Sequence, residues 1–189
     1  MPSPHATASG GIAYFHEDTQ LQDKVLNGFL GHISIQFDTV AYFGRPLRRL
    51  TKKFKGSRVS LADAPFKLRD DMSEKAVAIH KGGLGFAVAA DLAGVPQILL
   101  YSHEEHWFTA NAIVRAGAGV AAKYNDITDE TLTEATERVT GSPVMRERAL
   151  RLEQIPAKLH DFADKDLLQH IDLARFLFGK VIPPCREAR

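Results

Sequence analysis

Short apolar runs alternate along this chain with longer stretches in which apolar residues recur every three or four positions. The runs at 11–16 (GIAYFH), 38–43 (DTVAYF), 57–62 (SRVSLA), 76–79 (AVAI), 97–101 (QILLY) and 121–124 (AAKY) have the length and composition of strands. Between them, 20–32 carries Leu21, Val25 and Phe29 at helical spacing. From Pro46 a second helix is predicted, with Leu47, Leu50 and Phe54 on one face and Arg48, Arg49, Lys52, Lys53 and Lys55 on the others. Residues 84–93 are apolar on most faces, and 104–116 and 130–140 also read as helices. A further helix starts at Pro143 with Val144, Ala149 and Leu152 on its buried side, and 161–178 is amphipathic through Phe162, Leu167, Leu168, Ile171, Phe176 and Leu177. Strands that alternate with helices in this way predict a doubly wound α/β fold, a parallel sheet covered on both faces.

Glycines punctuate the pattern. Gly94 ends the helix before Pro96, Gly117 and Gly119 end the next, and Gly141 ends the one that Thr128 opens. Thr128 is followed three positions later by Thr131 and so lacks the acid of a full capping box. Residues 1–10 (MPSPHATASG) read as a flexible leader, 11–179 as a single domain and 180–189 as a loose tail. No repeat period interrupts this organisation.

Composition narrows the partners. A chain of 189 residues, 44% hydrophobic, buries one good core, and 24 basic against 23 acidic side chains provide no overall pull towards nucleic acid. The single cysteine, Cys185, excludes an internal disulfide and a multi-cysteine metal site. No apolar run approaches the roughly twenty residues that cross a bilayer, and a cytoplasmic protein is the expectation. The basic stretch 46–56 reads as a solvated helix face, with weak contact to anionic lipid or an acidic partner as its second reading.

The chemistry concentrates after the run at 76–79. It stops at His80, and Gly82, Gly83 and Gly85 then lead into the apolar helix. Strand, glycine loop and helix N-terminus make an anion seat, because the first amides of a helix have no internal partners and its dipole favours negative charge. A plain turn and a structural histidine are the competing reading of the same residues. His103-Glu104-Glu105-His106 is not an H-E-x-x-H arrangement and has no clear third ligand, so no metal is expected there. Gly83-Leu84-Gly85 opens a G-x-G-x-x-G whose sixth position is Val88, a weak dinucleotide match.

The run H-K-G-G-L-G from His80, the A-G-V-P-Q that ends at Gln97, the acidic-polar pair Glu105-His106 and the closing T-A-x-x-V-x-x-A-G-A-G pattern carry a resemblance. Together they resemble the donor-binding signature of nucleotide-sugar-dependent glycosyltransferases of the GT-B fold, in the UDP-glycosyltransferase and MurG-like superfamily. A fainter likeness to the C-terminal half of that fold runs from about Gly11 to Gln154. The resemblance implies one Rossmann-like half of a GT-B enzyme. Its substrate would be a nucleoside-diphosphate sugar, UDP- or TDP-linked, with no cofactor. His80, Gly82, Gly83, Gly85, Phe86 and Ala87 would hold the diphosphate, Glu105 and His106 the sugar hydroxyls, and the Ala64-Pro65-Phe66 loop would face the nucleobase. The main-chain amides from Gly83 to Ala87 can serve phosphates whatever their side chains, and His80 can donate one hydrogen bond when neutral or add a charge when protonated, in which case binding would weaken as pH rises.

Several positions depart from the family pattern. Phe66 stands where a glutamine is common, leaving base stacking or simple packing beneath the loop as its two roles. Phe86-Ala87 replaces a hydroxyl pair, Ala89 replaces the glutamate that holds the ribose, and His106 replaces a glutamine. The family's acceptor pocket and catalytic base belong to an N-terminal domain, so turnover by this chain would need that domain or a partner subunit. The alternative is a non-catalytic binding or assembly module with a degenerate donor site.

Overall fold

In the computed structural model, residues 10–15, 38–44, 51–52, 54–72 and 75–154 are described. Six strands form one sheet: β1 (Gly11–Tyr14), β2 (Thr39–Tyr42), β3 (Val59–Leu61), β4 (Val77–His80), β5 (Gln97–Tyr101) and β6 (Gly119–Lys123). Every pairing is parallel and the order is β3-β2-β1-β4-β5-β6. The expected doubly wound sheet is therefore present. The central strands β1, β4 and β5 are buried on both faces, where apolar Val, Ile, Ala and Leu are tolerated and polar residues need partners, while the edge strands β3 and β6 are partly exposed.

The described residues also form α1 (Leu68–Asp71), α2 (Leu84–Leu92), α3 (Glu104–Ala116), α4 (Asp129–Thr140) and α5 (Pro143–Gln154), with a short 3-10 helix at Tyr124–Asp126 and helical backbone at 51–52. One face of the sheet buries Ala13, Phe15, Phe43, Val59, Ile79, Ile98 and Leu100 with Leu132 and Val139 of α4. Phe15 and Phe43 stack there at 5.6 Å with ring planes 8° apart. The other face buries Ile12 and Ala78 under Phe86 and Ala90 of α2, and Leu99 under Ala110 and Ile113 of α3.

Four local expectations need correction. Gly119 does not stop a helix but opens β6, opposite Gln97. The stop is Gly117 alone, left-handed at φ 71°, while Ala118 donates its amide back to the Ile113 carbonyl at 3.2 Å. Val144 is 55% exposed. It lies five positions before the fully buried Ala149, well off that residue's helical stripe, and Met145, four positions before it, packs against the core instead. The capping box of α4 is complete without an acid, since the Thr131 hydroxyl accepts from the Thr128 amide at 2.9 Å and the Thr128 hydroxyl accepts from the Thr131 amide at 3.2 Å. Helix α1 has no counterpart in the pattern, being too short to show a period. It is held by Leu68 and Met72 against Ile12 and by the Lys67 amide donating to Asp71 Oδ2 at 2.7 Å.

The predicted helices at 20–32 and 161–178, most of the basic stretch 46–56, the tail 180–189 and all of the leader but Gly10 lie outside the described residues. Among the described residues no helix is long and apolar enough to cross a membrane.

Gly119 is the tightest glycine of the sheet. A Cβ there would collide with the Gln97 carbonyl oxygen and stand 2.9 Å from Ile113 Cγ2. Gly119→Ala is expected to destabilise the protein by about 1–3 kcal/mol through strand displacement, read as a lower denaturant midpoint with an unchanged slope. An unchanged midpoint would show that β6 is not clamped at this point.

Candidate functional site

The strand order reverses between β1 and β4, so the crevice of this sheet opens at their C-terminal ends, where Tyr14 lies directly opposite His80. Three loops meet there. The 63–67 loop after β3 sends Phe66 back to Tyr14 and Tyr42, at ring separations of 6.1 and 6.2 Å. Tyr14 stacks in turn on Phe86 at 5.1 Å, and Phe86 lies 4.8 Å from the His80 ring. The glycine loop after β4 approaches the start of α3, just beyond the loop after β5, through Gly82: a Cβ there would be 2.9 Å from the His106 carbonyl oxygen, and its φ of +102° suits only glycine.

His80 is buried and both ring nitrogens are occupied. Nδ1 accepts from the Gly82 amide at 3.1 Å, and Nε2 bonds Gln97 Oε1 at 2.8 Å. Gln97, itself fully buried, donates through Nε2 to Asp91 Oδ1 at 2.7 Å and to the Ala87 carbonyl at 3.2 Å. Burial lowers the His80 pKa to about 4 despite the Gln97 hydrogen bond, with the neighbouring His106 adding to the depression. Of the two forms open to the ring, burial thus favours the neutral one, and its lone pair is already engaged. Burial also raises the Asp91 pKa to about 7, while the Gln97 bond acts the other way.

The amides of the loop divide into two groups. Gly82 donates to His80, and Ala87 donates to the Gly83 carbonyl at 3.1 Å, so neither is available to a ligand in this arrangement. The amides of Gly83, Leu84, Gly85 and Phe86 have no partner among the described residues. Gly83 is the N-cap of α2 at φ −59° and ψ 130°, and a Cβ on Gly83 or Gly85 would meet nothing within 4 Å. The Phe86 ring packs in the core with Ile12, Ala78 and Ala90.

Ala64 and Pro65 are exposed at the tip of their loop, and Phe66 is half-buried. Of the two roles left open for Phe66, packing beneath the loop describes its contacts with Tyr14, Tyr42 and the Ile12 cluster. Glu105 is exposed in the first turn of α3. His106 is half-buried, its ring 5.2 Å from that of His103, and its pKa is lowered by burial, then by His103 and Lys81, against the opposing pull of Glu105. Its Nδ1 and the Ser102 hydroxyl are buried without a partner among the described residues.

The motif reading gave no role to three residues of the site. Gln97 and Asp91 belong to the His80 network, and Lys81 places a cation close enough to act on His106. A polar residue opening a buried strand was the available signal for Gln97, and a carboxylate inside an apolar helix the signal for Asp91. Among the described residues no group of three or more His, Cys, Asp or Glu side chains could hold a metal ion.

The family described as "Erythromycin biosynthesis protein CIII-like, C-terminal domain" matches residues 63–158, half of the chain and the whole span from the Pro65 loop through α5. The chain belongs to this CIII-like C-terminal domain family. No curated protein sequence matches it. Solved structures resembling this CIII-like domain include glycosyltransferase VinC in complex with DTDP, at a TM-score of 0.66 and 20% identity, over 78% of this chain and 37% of that one. The spinosyn rhamnosyltransferase SpnG follows at 0.63 and 19%, over 78% and 41%. Os79 from O. sativa in complex with UDP and deoxynivalenol-3-glucoside gives 0.66 and 13%, over 78% and 37%. These likenesses establish a shared fold, that of one half of a GT-B glycosyltransferase. The CIII-like chain spans about two fifths of the length of each.

The buried network sets a pH dependence. His80, with a folded pKa below its unfolded value, binds fewer protons when folded, so its contribution to stability is lost as pH falls from about 6.5 towards about 4. Asp91, with a folded pKa above its unfolded value, contributes in the opposite sense, and stability is lost as pH rises from about 4 to about 7. The two slopes offset each other between pH 4 and 6.5. Asp91→Asn leaves only the first, and that variant is expected to lose on the order of 1–3 kcal/mol more than the parent between pH 7.5 and 4.5. Urea midpoints at the two pH values measure it. Parallel losses would mean that Asp91 carries its ordinary pKa.

Proposed function

We propose that this chain is the donor-binding half of a glycosyltransferase that uses a nucleoside-diphosphate sugar. The observation that carries the proposal is the row of four unpartnered amides, Gly83 to Phe86, opening α2 at the switch point of the sheet in a member of this family. These amides would take the diphosphate, and Lys81 would add a positive charge beside it. Gly82 and Ala87 would act by shaping the loop, and His80 by holding it. Glu105 would accept sugar hydroxyls, and the unpartnered His106 Nδ1 is the polar atom best supplied with a reason to meet one. Ala64, Pro65 and Phe66 would border the nucleobase.

Transfer would form a bond from an acceptor hydroxyl oxygen to the anomeric carbon as the bond from that carbon to the diphosphate oxygen breaks. The departing nucleoside diphosphate keeps the electron pair, and its charge is what the helix N-terminus and Lys81 would stabilise without a metal. The hydroxyl proton goes to a base that we assign to an acceptor-binding domain or subunit outside this chain, in the cytoplasm. UDP and TDP are the nucleotides of choice because the VinC structure carries DTDP and an Os79 structure carries UDP. The second reading, a binding module with a degenerate donor site, is favoured by Phe86, whose ring fills the core where the family carries hydroxyls, and by Ala89.

Calorimetric titration of the chain with UDP, TDP and GDP, with and without a chelator, separates the readings. Saturable binding of UDP or TDP that survives the chelator is expected, and heats no larger than dilution for all three would support the module. Gly85→Asp localises the ligand. A carboxylate in the first turn of α2 has open space and a favourable dipole, so the melting temperature should hold or rise, while the same charge repels a diphosphate and should weaken binding tenfold or more, a difference of about 1.4 kcal/mol. Undiminished binding by this variant would place the diphosphate elsewhere.

A further inference from the structure

The hydrogen bonds behind the glycine loop can be read in only one direction. Gln97 has two acceptors in front of its amide end, Asp91 Oδ1 and the Ala87 carbonyl, so its NH₂ must face them and its Oε1 must face His80. An oxygen opposite Nε2 requires the proton on Nε2. Nδ1 is then bare, and a bare Nδ1 is what the Gly82 amide needs. The chain of dependence begins at Asp91. Without it, of the two acceptors only the Ala87 carbonyl, at the longer 3.2 Å, holds the NH₂ group, and part of the population could turn the Gln97 amide over, face His80 with NH₂ and move the ring proton to Nδ1, where it would confront the Gly82 N–H donor.

We propose that Asp91 and Gln97 are positioning residues that lock the ring tautomer of His80 and, through it, the left-handed turn at Gly82 that sets the four open amides in place. Ionised or protonated on Oδ2, Asp91 still presents an accepting Oδ1, so the lock does not depend on its charge. Asparagine at 91 can present the same oxygen, and leucine cannot. The lock is a property of the ligand-free chain, and its consequence for a nucleoside diphosphate rests on the function proposed above.

Long-range nitrogen–proton NMR spectra of the full chain without ligand, in the parent, Asp91→Asn and Asp91→Leu, report the His80 tautomer directly, and hydrogen exchange reports the Gly82 amide. The parent and Asp91→Asn should show a single Nε2–H tautomer with a protected Gly82 amide. Asp91→Leu should show a mixture of tautomers, with Gly82 exchange faster by tenfold or more. A folded Asp91→Leu with one tautomer and a protected amide would overturn the proposal. Should leucine prevent folding, Gln97→Met decides it: a side chain with neither an oxygen for Nε2 nor an NH₂ group for Asp91 removes the lock, so a single Nε2–H tautomer with a Gly82 amide as protected as the parent's would also overturn it. Titration with UDP and TDP is read separately. Weaker binding by Asp91→Leu but not Asp91→Asn supports the lock and the diphosphate seat together. Altered tautomers with no binding by any variant uphold the lock and refute the seat.

Discussion

One lone pair organises the mouth of this sheet. Nδ1 of His80 accepts the Gly82 amide from within the protein, and on that bond depend the left-handed turn at Gly82, its close approach to His106 and the line along which α2 begins. A backbone N–H buried beneath a loop is costly to leave unpaired, and strand β4 ends before its own ladder can supply a partner. The ring fills that need because it is neutral, and it is neutral because the surrounding apolar side chains disfavour a charge. Electrostatics and loop geometry at this point are one constraint.

The aromatic residues are the apolar counterpart of that constraint. Tyr42, Tyr14, Phe86 and His80 form a continuous line of ring contacts across the ends of β2, β1 and β4, joining the two halves of the sheet at its switch point. Stacked and tilted rings of this kind hold their neighbours in fixed orientations as well as burying area. Phe86 has a double assignment. Its ring belongs to the core and its amide to the open row, so packing of the ring fixes the direction of the N–H.

Much of this was legible in the chain itself. Strand runs and glycine stops placed β4, α2, β5 and α3 within a residue or so, because Gly or Pro stands close to an end of each, β4, α2 and β5 are mainly apolar, and α3 repeats its apolar residues at helical spacing. What could not be read locally was set by contacts distant in sequence. Gly119 belongs to a strand because it faces the Gln97 carbonyl, twenty-two positions earlier, and Val144 faces water because Met145 and Ala149 share the stripe that meets the core. His80 is the sharper case. Motif resemblance gave it a ligand, whereas its partners, Gln97 and Asp91, are visible only once the strands are side by side. A polar residue at the edge of an apolar run indicates that a partner exists and says nothing of whether that partner is inside or outside the protein.

A row of main-chain amides has no preference of its own for one phosphate over another. Phe86 and Ala87 add no hydroxyls, so nothing on the side-chain level of this row distinguishes a nucleotide's diphosphate from inorganic pyrophosphate or orthophosphate. The amides would therefore be in constant competition with free phosphates of the cell, and selection among ligands must reside in the parts of the crevice that touch base and sugar. Phe66 packs on Tyr14, and the His106 carbonyl lies against Gly82, so only substitutions that keep these contacts leave the amides where they are. If the proposed seat takes a diphosphate, such substitutions would change the choice of sugar with the phosphate contacts unaltered.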